Sequence, residues 1–199
     1  MSQLEGIAQT RTMVVRKTGF INDSVVTRFL DFGLSTDVWD KYSTGSPWDG
    51  RIIHHGDMPE SLQGLIVDIL SSVKSTIKAE YSLTEEIYPD DFTLVRWLTK
   101  DDHEPHADSV NPSGEPHPFF WRKYTAIIYL NRDFVGGELY FPNQGLSLSP
   151  EPKSLAFFPG TLEYLHGVKM ITEGIRYTLA SFWTDDQTKC IYPSVFLPG

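Results

Sequence analysis

The sequence predicts a mainly β fold with flanking helices, and three observations support this. From about Phe92 onward, short segments rich in β-branched and aromatic residues alternate with Gly, Pro, Asn and Asp, which is typical of a sandwich, barrel or jelly roll. Before that point, apolar residues recur at intervals of three and four, the spacing of amphipathic helices. No repeat, low-complexity stretch or linker divides the chain, so we expect one domain over residues 1–199.

Two helices are predicted in the N-terminal part, about residues 1–90. Asn22, Asp23 and Ser24 provide N-cap chemistry for the first helix, and Gly33 is expected to end it. The second helix begins at Pro59-Glu60. Its apolar residues form one stripe: Leu62, Leu65, Ile66, Ile69, Leu70, Val73 and Ile77. We expect both helices to pack on the outside of the β core.

The β core is expected over about residues 91–185. Seven segments have strand character: 92–98, 122–130, 137–141, 146–148, 154–159, 164–170 and 175–183. Gly136-Gly137 follows the second of them and precedes neither a helix start nor a Lys-Ser/Thr pair, so it is not a phosphate-binding loop. We interpret it as a tight turn that lets two backbones approach closely.

Composition and charge exclude several classes of protein. The 17 Lys and Arg residues against 26 Asp and Glu residues give a net charge of −9, which argues against a nucleic-acid partner. No apolar run approaches the ~18 residues that span a bilayer, and no secretory signal is visible, so we expect a soluble, cytoplasmic protein with no membrane partner. The single cysteine, Cys190, excludes an intramolecular disulfide and a cysteine-rich zinc site.

A metal site is suggested by His106-Ala107-Asp108 and by His166, which follows the aspartate by 58 residues. A His-x-Asp pair on a strand or its margin places both side chains on one face, because side chains alternate with period two. A third ligand from a distant strand then gives two imidazoles and one carboxylate, a set that suits Fe(II). The tripeptide alone is weak evidence, and an ordinary polar loop is the alternative.

Arg176 stands inside an otherwise apolar predicted strand, EGIRYTLASFW. A buried arginine is costly unless it meets an anion, and its planar fork suits a carboxylate in two-point contact. Residues of the same parity, Arg176, Thr178, Ala180 and Phe182, are expected to share a face, so Thr178 adds a hydroxyl beside the guanidinium. The alternative is a structural salt bridge with an internal Asp or Glu.

Six segments together resemble the prolyl 4-hydroxylase-like branch of the Fe(II)/2-oxoglutarate-dependent dioxygenases. They are HAD (106–108), RKYTAIIYLN (122–131), GGELYFP (136–142), FFPG (157–160), LHGV (165–168) and GIRYTLASFW (174–183). Their order and spacing follow that family over roughly residues 92–184, about half of the chain. The resemblance implies a double-stranded β-helix, a jelly roll, as the core.

The resemblance also implies roles for individual residues. The iron ligands, and hence the catalytic centre, would be His106, Asp108 and His166. Arg176 would bind the distal carboxylate of 2-oxoglutarate, and Tyr129 would donate a hydrogen bond to the same cosubstrate. Trp97 departs from the pattern, because the family usually has tyrosine there, and its indole N–H would donate from a different position.

The implied activity is hydroxylation of an unactivated C–H bond, with O2 and 2-oxoglutarate consumed and succinate and CO2 released. We expect a small-molecule substrate, such as free or carrier-bound proline, and ascorbate as the reductant in assays. One alternative substrate is a prolyl residue in a peptide or protein. Alternatives of another class are a non-catalytic metal-binding β-helix module and a cupin-like metalloenzyme that does not use 2-oxoglutarate.

Substrate contacts are expected from residues 109–121 and 48–57. Within or beside the first segment, the candidates are Arg122, Phe120 and Trp121, although Arg122 could equally form a surface salt bridge. The remaining histidines are not interpreted as metal ligands. His54-His55 is read as part of a solvated loop, since adjacent residues of an extended chain face opposite ways. His103 and His117 flank the metal motif and are expected to be substrate-loop or surface residues, with the surface favoured.

Overall fold

The computed structural model describes residues 12–41, 45–113 and 115–197, and these residues form twelve strands and three α-helices. In chain order the elements are β1 (Val15–Lys17), α1 (Asp23–Ser35), β2 (Ile52–His54), α2 (Glu60–Tyr81), β3 (Tyr88–Trp97), β4 (His103–His106), β5 (Tyr124–Tyr129), β6 (Phe134–Gly136), β7 (Leu139–Phe141), β8 (Leu146–Leu148), β9 (Leu155–Pro159), β10 (His166–Val168), β11 (Ile171–Gly174), β12 (Arg176–Thr184) and α3 (Pro193–Phe196). The predicted mainly β composition is confirmed.

The strands form three antiparallel sheets. The largest has the order β1-β9-β5-β12-β3-β2, the second β4-β10-β7-β8, and the third pairs β11 with β6. Strand β12 lies inside the six-stranded sheet, where it pairs with β3 from Arg176↔Trp97 to Thr184↔Tyr88 and with β5 on its other side. Two apolar clusters join the six-stranded sheet to the smaller sheets; one contains Phe158 with Phe141, and the other contains Trp97 with Val168.

The helices share a hydrophobic cluster with the opposite face of the six-stranded sheet. In α2 the buried residues are Leu62, Ile66, Ile69, Leu70, Val73 and Ile77, which is the predicted stripe except for the half-buried Leu65. The sheet contributes alternate residues to this cluster, including Phe92, Leu94, Ile128, Phe157 and Leu179. The side chains between them on the same strands face the other way.

The first helix begins as predicted but does not end at Gly33. The side chain of Asn22 caps α1 by accepting a hydrogen bond from the backbone N–H of Val25 at 3.0 Å, and the helix continues to Ser35. A Cβ at Gly33 would lie 3.3 Å from Leu94 and 3.5 Å from Tyr177, so the glycine permits close packing of the helix on the sheet. The prediction that Gly33 terminates the helix is therefore wrong.

All seven predicted strand segments contain strands, but the sequence does not predict five short ones: β1, β2, β4, β6 and β11. Strands β1 and β2 come from the N-terminal part and extend the six-stranded sheet at its two edges, through Val15↔Phe157 and Ile53↔Leu94. The N-terminal part is thus not purely helical. Three residues carry too little periodic pattern to be recognised when their partners lie far away in the chain.

No helix within the described ranges is long and apolar enough to cross a membrane. The expected cytoplasmic location and the single-domain organisation over residues 1–199 stay predictions.

Candidate metal and cosubstrate site

Three predicted ligand residues meet between two paired strands. His106 is the last residue of β4 and His166 the first of β10, and the two stand opposite each other in the antiparallel pair. Asp108 follows β4 by two residues. Its Oδ1 lies 3.8 Å from Nε2 of His106 and its Oδ2 lies 3.5 Å from Nε2 of His166. One ligand atom from each residue lies within 4.8 Å of the other two, close enough for one metal ion to bind all three.

Backbone carbonyls orient both imidazoles. Nδ1 of His106 lies 3.0 Å from the carbonyl oxygen of Glu104, and Nδ1 of His166 lies 3.2 Å from that of Tyr164. A carbonyl only accepts hydrogen bonds, so Nδ1 carries the proton and the lone pair of Nε2 faces the cluster. Burial lowers the pKa of both histidines, and the neighbouring His166 lowers that of His106 further. Neutral imidazoles are the form that binds a metal.

Thr125 holds the carboxylate of Asp108, and Gly160 holds its backbone. The Thr125 hydroxyl donates to Oδ2, and the backbone N–H of Asp108 donates to the carbonyl of Gly160 at 3.1 Å. A Cβ at Gly160 would lie 3.3 Å from the Cβ of Asp108. Thr125 was not predicted as a site residue. The signal was its parity with Tyr129, since both side chains point to the same face of β5.

Arg176 and Tyr129 are buried side by side with unsatisfied polar atoms. Arg176 is 1% exposed and Tyr129 0% exposed. Among the residues that the structure describes, Nε and Nη1 of Arg176 and the hydroxyl of Tyr129 have no hydrogen-bond partner. Burial lowers the pKa of Arg176 and raises that of Tyr129. The alternative of an internal salt bridge is therefore not found in the described part of the chain, and the pair is suited to an external anion.

Trp97 and Thr178 complete this end of the site. The Cζ atom of Arg176 lies 5.5 Å from the ring centroid of Trp97 and 5.1 Å from that of Tyr129. Thr178 is buried and stands opposite Tyr129 in the sheet. The four residues expected to contact 2-oxoglutarate therefore lie close together: Arg176, Tyr129, Thr178 and Trp97.

The close backbone approach predicted at Gly136-Gly137 is found beside the arginine, but no tight turn forms there, because Gly136 is the last residue of β6 and pairs with Ile171 of β11. Both glycines have positive φ, +86° and +72°. A Cβ at Gly136 would lie 2.1 Å from the carbonyl oxygen of Met170, and one at Gly137 would lie 2.4 Å from Ile171 and 3.1 Å from Cδ of Arg176. Glycine therefore allows both the backbone conformation and the close approach.

One cavity of about 540 Å³ connects the ligand cluster with Arg176. The cavity is lined by all four residues of β12 that were predicted to share a face: Arg176, Thr178, Ala180 and Phe182. The neighbouring strands of the same sheet, β3 and β5, add Thr93, Val95 and Ile127, so most of the wall between the two polar groups is apolar.

Both segments expected to contact a substrate contribute to this cavity. From residues 48–57, Trp48, Asp49 and His54 line it, and from residues 109–121, His117 and Phe119 do. His103 also lines it, because its ring stacks on Trp48 at 5.2 Å and packs edge-on to His106 at 4.0 Å. His103 and His117 are both half-buried and line the cavity, which favours a substrate-loop position over a purely surface one.

The three substrate candidates differ in position. Arg122 lines the cavity, where its Nε donates to Oδ2 of Asp90 at 3.0 Å and its Cζ lies 3.6 Å from the ring centroid of Phe182. This ion pair is buried, so the alternative of a surface salt bridge is wrong. Phe120 is 71% exposed, and Trp121 donates its indole N–H to Asp90 at 2.6 Å. The cavity-lining residues of the described chain do not include these two, and their substrate role stays a prediction.

His54 and His55 do not form a solvated loop. His54 ends β2 with its Nδ1 3.2 Å from Asp91, and Nδ1 of His55 lies 3.8 Å from the same carboxylate. The hydrogen bond to Asp91 raises the pKa of His54. A 3-10 turn, His55–Asp57, follows β2 directly, so the chain changes direction between the two histidines. Both imidazole rings therefore lie near the Asp91 carboxylate.

Comparisons with known proteins agree with this geometry. A family model described as the 2OG-Fe(II) oxygenase superfamily matches residues 92–184. Prolyl 3-hydroxylase 1 of Homo sapiens is 35% identical over 158 residues, which cover 68% of this chain and 21% of that protein. The chain thus spans only about a fifth of the length of this curated relative.

Solved structures show the same fold at low identity. A prolyl-4-hydroxylase from Pseudomonas putida superposes with a TM-score of 0.64 at 16% identity, covering 87% of this chain and 93% of that one. A prolyl hydroxylase from Trichoplax adhaerens, in complex with a hypoxia inducible factor oxygen degradation domain peptide fragment, gives 0.66 at 17% identity, covering 90% and 86%. Residues 92–184 of the chain belong to the 2OG-Fe(II) oxygenase superfamily.

Proposed function

We propose that this protein is an Fe(II)- and 2-oxoglutarate-dependent hydroxylase of a prolyl residue in a peptide. The observation that carries the oxygenase assignment is the pairing of two features in one cavity. His106, Asp108 and His166 form a cluster in one part of the cavity. The buried guanidinium of Arg176, which has no carboxylate partner among the described residues, lies in another part. The first fits a metal ion and the second fits the free end of a dicarboxylate.

The donor set fits iron. His106, Asp108 and His166 would hold Fe(II), since two imidazoles and one carboxylate form the facial triad of non-haem iron oxygenases. Bound iron and 2-oxoglutarate supply the oxidation, in which O2 gives succinate and CO2 from the cosubstrate and a hydroxyl group on a substrate carbon.

The chain's own residues bind, orient and shield. Arg176 and Tyr129 would bind the distal carboxylate, because a charge-assisted contact in a buried site is stronger than one in water. Thr125 keeps the Asp108 carboxylate in one orientation. The apolar wall of Val95, Ile127 and Ala180 excludes water from the space between metal and arginine.

The peptide substrate is favoured over the small molecule that the sequence first suggested. The relatives found are prolyl hydroxylases, and one of the solved structures contains a peptide fragment. The lining of the cavity supports this choice, because two segments distant in the chain each contribute an aromatic side chain to it, Trp48 and the 40% exposed Phe119. Stacked or edge-on aromatic rings bind pyrrolidine rings and peptide groups well.

The test is turnover with defined substrates. The protein with Fe(II), 2-oxoglutarate and ascorbate is incubated with proline-containing peptides and, separately, with free L-proline. We expect succinate and a mass increase of one oxygen atom in at least one peptide, and neither in the Asp108→Ala variant. Turnover of free proline with none of any peptide would return the assignment to a small molecule. Metal binding with no 2-oxoglutarate binding would favour a non-catalytic module.

A further inference from the structure

Trp97 faces Arg176 across two paired strands. The two residues are directly opposite in the antiparallel pair of β3 and β12, so their side chains lie on the same face of the sheet. Trp97 is 6% exposed, and the guanidinium carbon lies 5.5 Å from its ring centroid. Tyr129 contributes a second ring at 5.1 Å. The guanidinium is therefore in contact with two aromatic rings.

The Trp97 ring and the Tyr129 side chain, whose hydroxyl also interacts electrostatically with the arginine, hold this guanidinium within the described residues. Two of its three nitrogen atoms, Nε and Nη1, have no hydrogen-bond partner there. The attraction between a cation and a ring face grows when water is excluded, and both rings and the arginine are almost fully buried. Removing one ring should leave the guanidinium free to adopt other rotamers.

Trp97 is itself fixed by neighbours. Its ring packs edge-on against Trp48 at 5.5 Å and 83°, and edge-on against His103 at 6.3 Å and 88°. Arg51 lies over it with a Cζ distance of 5.9 Å. The indole thus has a defined plane, which a ring must have if it is to orient another group.

We propose that Trp97 is a positioning residue that acts through Arg176: its ring face, together with Tyr129, holds the guanidinium ready for the distal carboxylate of the cosubstrate. This inference rests on the proposed function. The sequence suggested that Trp97 contributes to cosubstrate binding by donating a hydrogen bond from its indole N–H. The structure suggests instead that it contributes through the face of its ring. The two roles predict different results for Trp97→Phe, which keeps a ring face and loses the N–H.

The experiment is an anaerobic 2-oxoglutarate titration of the Fe(II)-loaded protein, followed by metal-to-ligand absorbance. Trp97→Leu should weaken 2-oxoglutarate binding roughly tenfold, which corresponds to about 1.4 kcal/mol. Trp97→Phe should stay within about threefold of the parent. In the Arg176→Ala background, Trp97→Leu should add little, because contacting residues are coupled. Trp97→Met replaces the leucine variant if that one does not fold.

A second probe separates the arginine from the metal. 2-Oxobutyrate keeps the 2-oxo acid group and lacks the distal carboxylate, so the parent and Trp97→Leu should bind it equally well. The matched control is Trp183→Leu. Trp183 is also a buried tryptophan of the same sheet, but it belongs to the hydrophobic cluster on the helix side and does not line the cavity. This control should leave 2-oxoglutarate affinity within about threefold of the parent.

The outcomes separate this inference from the proposed function. Equal losses in Trp97→Phe and Trp97→Leu would overturn positioning by the ring face and favour donation by the N–H. Parent-like binding by Trp97→Leu beside weak binding by Arg176→Ala would overturn the role of Trp97 alone. Parent-like binding by Arg176→Ala would overturn the proposed cosubstrate site itself.

Discussion

The two faces of the six-stranded sheet are built from the same strands and contact very different surroundings. On the helix side, Leu94 and Leu179 are buried in an apolar cluster with α1 and α2. On the cavity side of the same strands, Arg176 and Tyr129 carry buried polar atoms without partners in the described chain. One step along β12 passes from one environment to the other. Changes on the helix side should lower folding stability, whereas changes on the cavity side should alter binding.

The largest expected effect is loss of the metal. Asp108→Ala removes the carboxylate from the cluster, so iron binding should fall to a small fraction of one per chain and hydroxylation should be abolished. Asp108→Gly should behave alike, with circular dichroism unchanged in both. Asp185→Ala, at an exposed carboxylate, is the control that keeps its iron. Unchanged iron stoichiometry after joint replacement of His106, Asp108 and His166 would contradict the site.

Loss of the cosubstrate contact comes next. Removing half of a buried charged pair costs ~2–5 kcal/mol in binding, so Arg176→Ala should weaken 2-oxoglutarate binding by roughly thirty-fold or more. Iron binding should be retained because the ligands are untouched. Arg176→Lys should recover part of the loss, since the charge remains without the two-point contact. Affinity in the alanine variant equal to that of the parent would make Arg176 a purely structural residue.

A substitution on the helix side should give the opposite pattern. Leu94 is fully buried against the helices, and Leu→Ala in a core lowers the free energy of unfolding by about 2–5 kcal/mol. The folded fraction of Leu94→Ala should bind 2-oxoglutarate as the parent does. Urea unfolding measures the first quantity and anaerobic titration the second. A large loss of affinity per folded molecule would show that the two faces are not independent.

The smallest expected effect lies at the rim, in Asp91. Burial raises the pKa of this carboxyl, but the hydrogen bond from His54, the contact with His55 and the charge of Arg122 outweigh it and hold the pKa well below the ordinary range. The pKa of His54 is raised, so its contribution to stability is complete below about pH 6.5 and is lost as pH rises through the raised value.

Asp91→Asn should therefore lower the free energy of unfolding by roughly 1 kcal/mol at about pH 6, a modest figure because the His54 side chain is half exposed and screened by water. The difference from the parent should shrink at about pH 9, where His54 is neutral. Urea midpoints at the two pH values measure it. An equal difference at both would exclude the histidine contribution.

The sequence predicts the cavity side better than the edges of the fold. Arg176 was identified because an ionisable residue in an apolar strand needs a chemical reason, and His106, Asp108 and His166 were identified because their spacing resembles a known family. The parity of β12 was read correctly, because successive side chains of a strand point to opposite faces and this strand is nine residues long. Short elements could not be read in this way. Strand β1 has three residues, and its hydrogen bonds go to β9, some 140 positions further along the chain.

Contacts that depend on tertiary packing were also outside the reach of the sequence. Gly33 resembled a helix terminus, but its small size serves packing against Leu94. His103 was expected in a substrate loop or at the surface, and only the folded structure shows that Trp48 stacks on its ring. Arg122 was expected to contact a substrate or to form a surface salt bridge, yet Asp90 pairs with it in a buried position. In each case the deciding neighbour lies at least ten residues away along the chain.

The central claim is that Arg176 is buried to bind an anion and not to stabilise the fold. The most direct measurement is the free energy of unfolding of the Fe(II)-loaded parent and of Arg176→Met, with and without 2-oxoglutarate. Without it, we predict that the methionine variant is at least as stable as the parent, because an unpaired buried charge has been replaced by an apolar side chain. With 2-oxoglutarate at a hundred times the parent's Kd, the parent should gain about 2.7 kcal/mol and the variant under about 1 kcal/mol. A variant that is destabilised without 2-oxoglutarate and gains as much as the parent with it would contradict the claim.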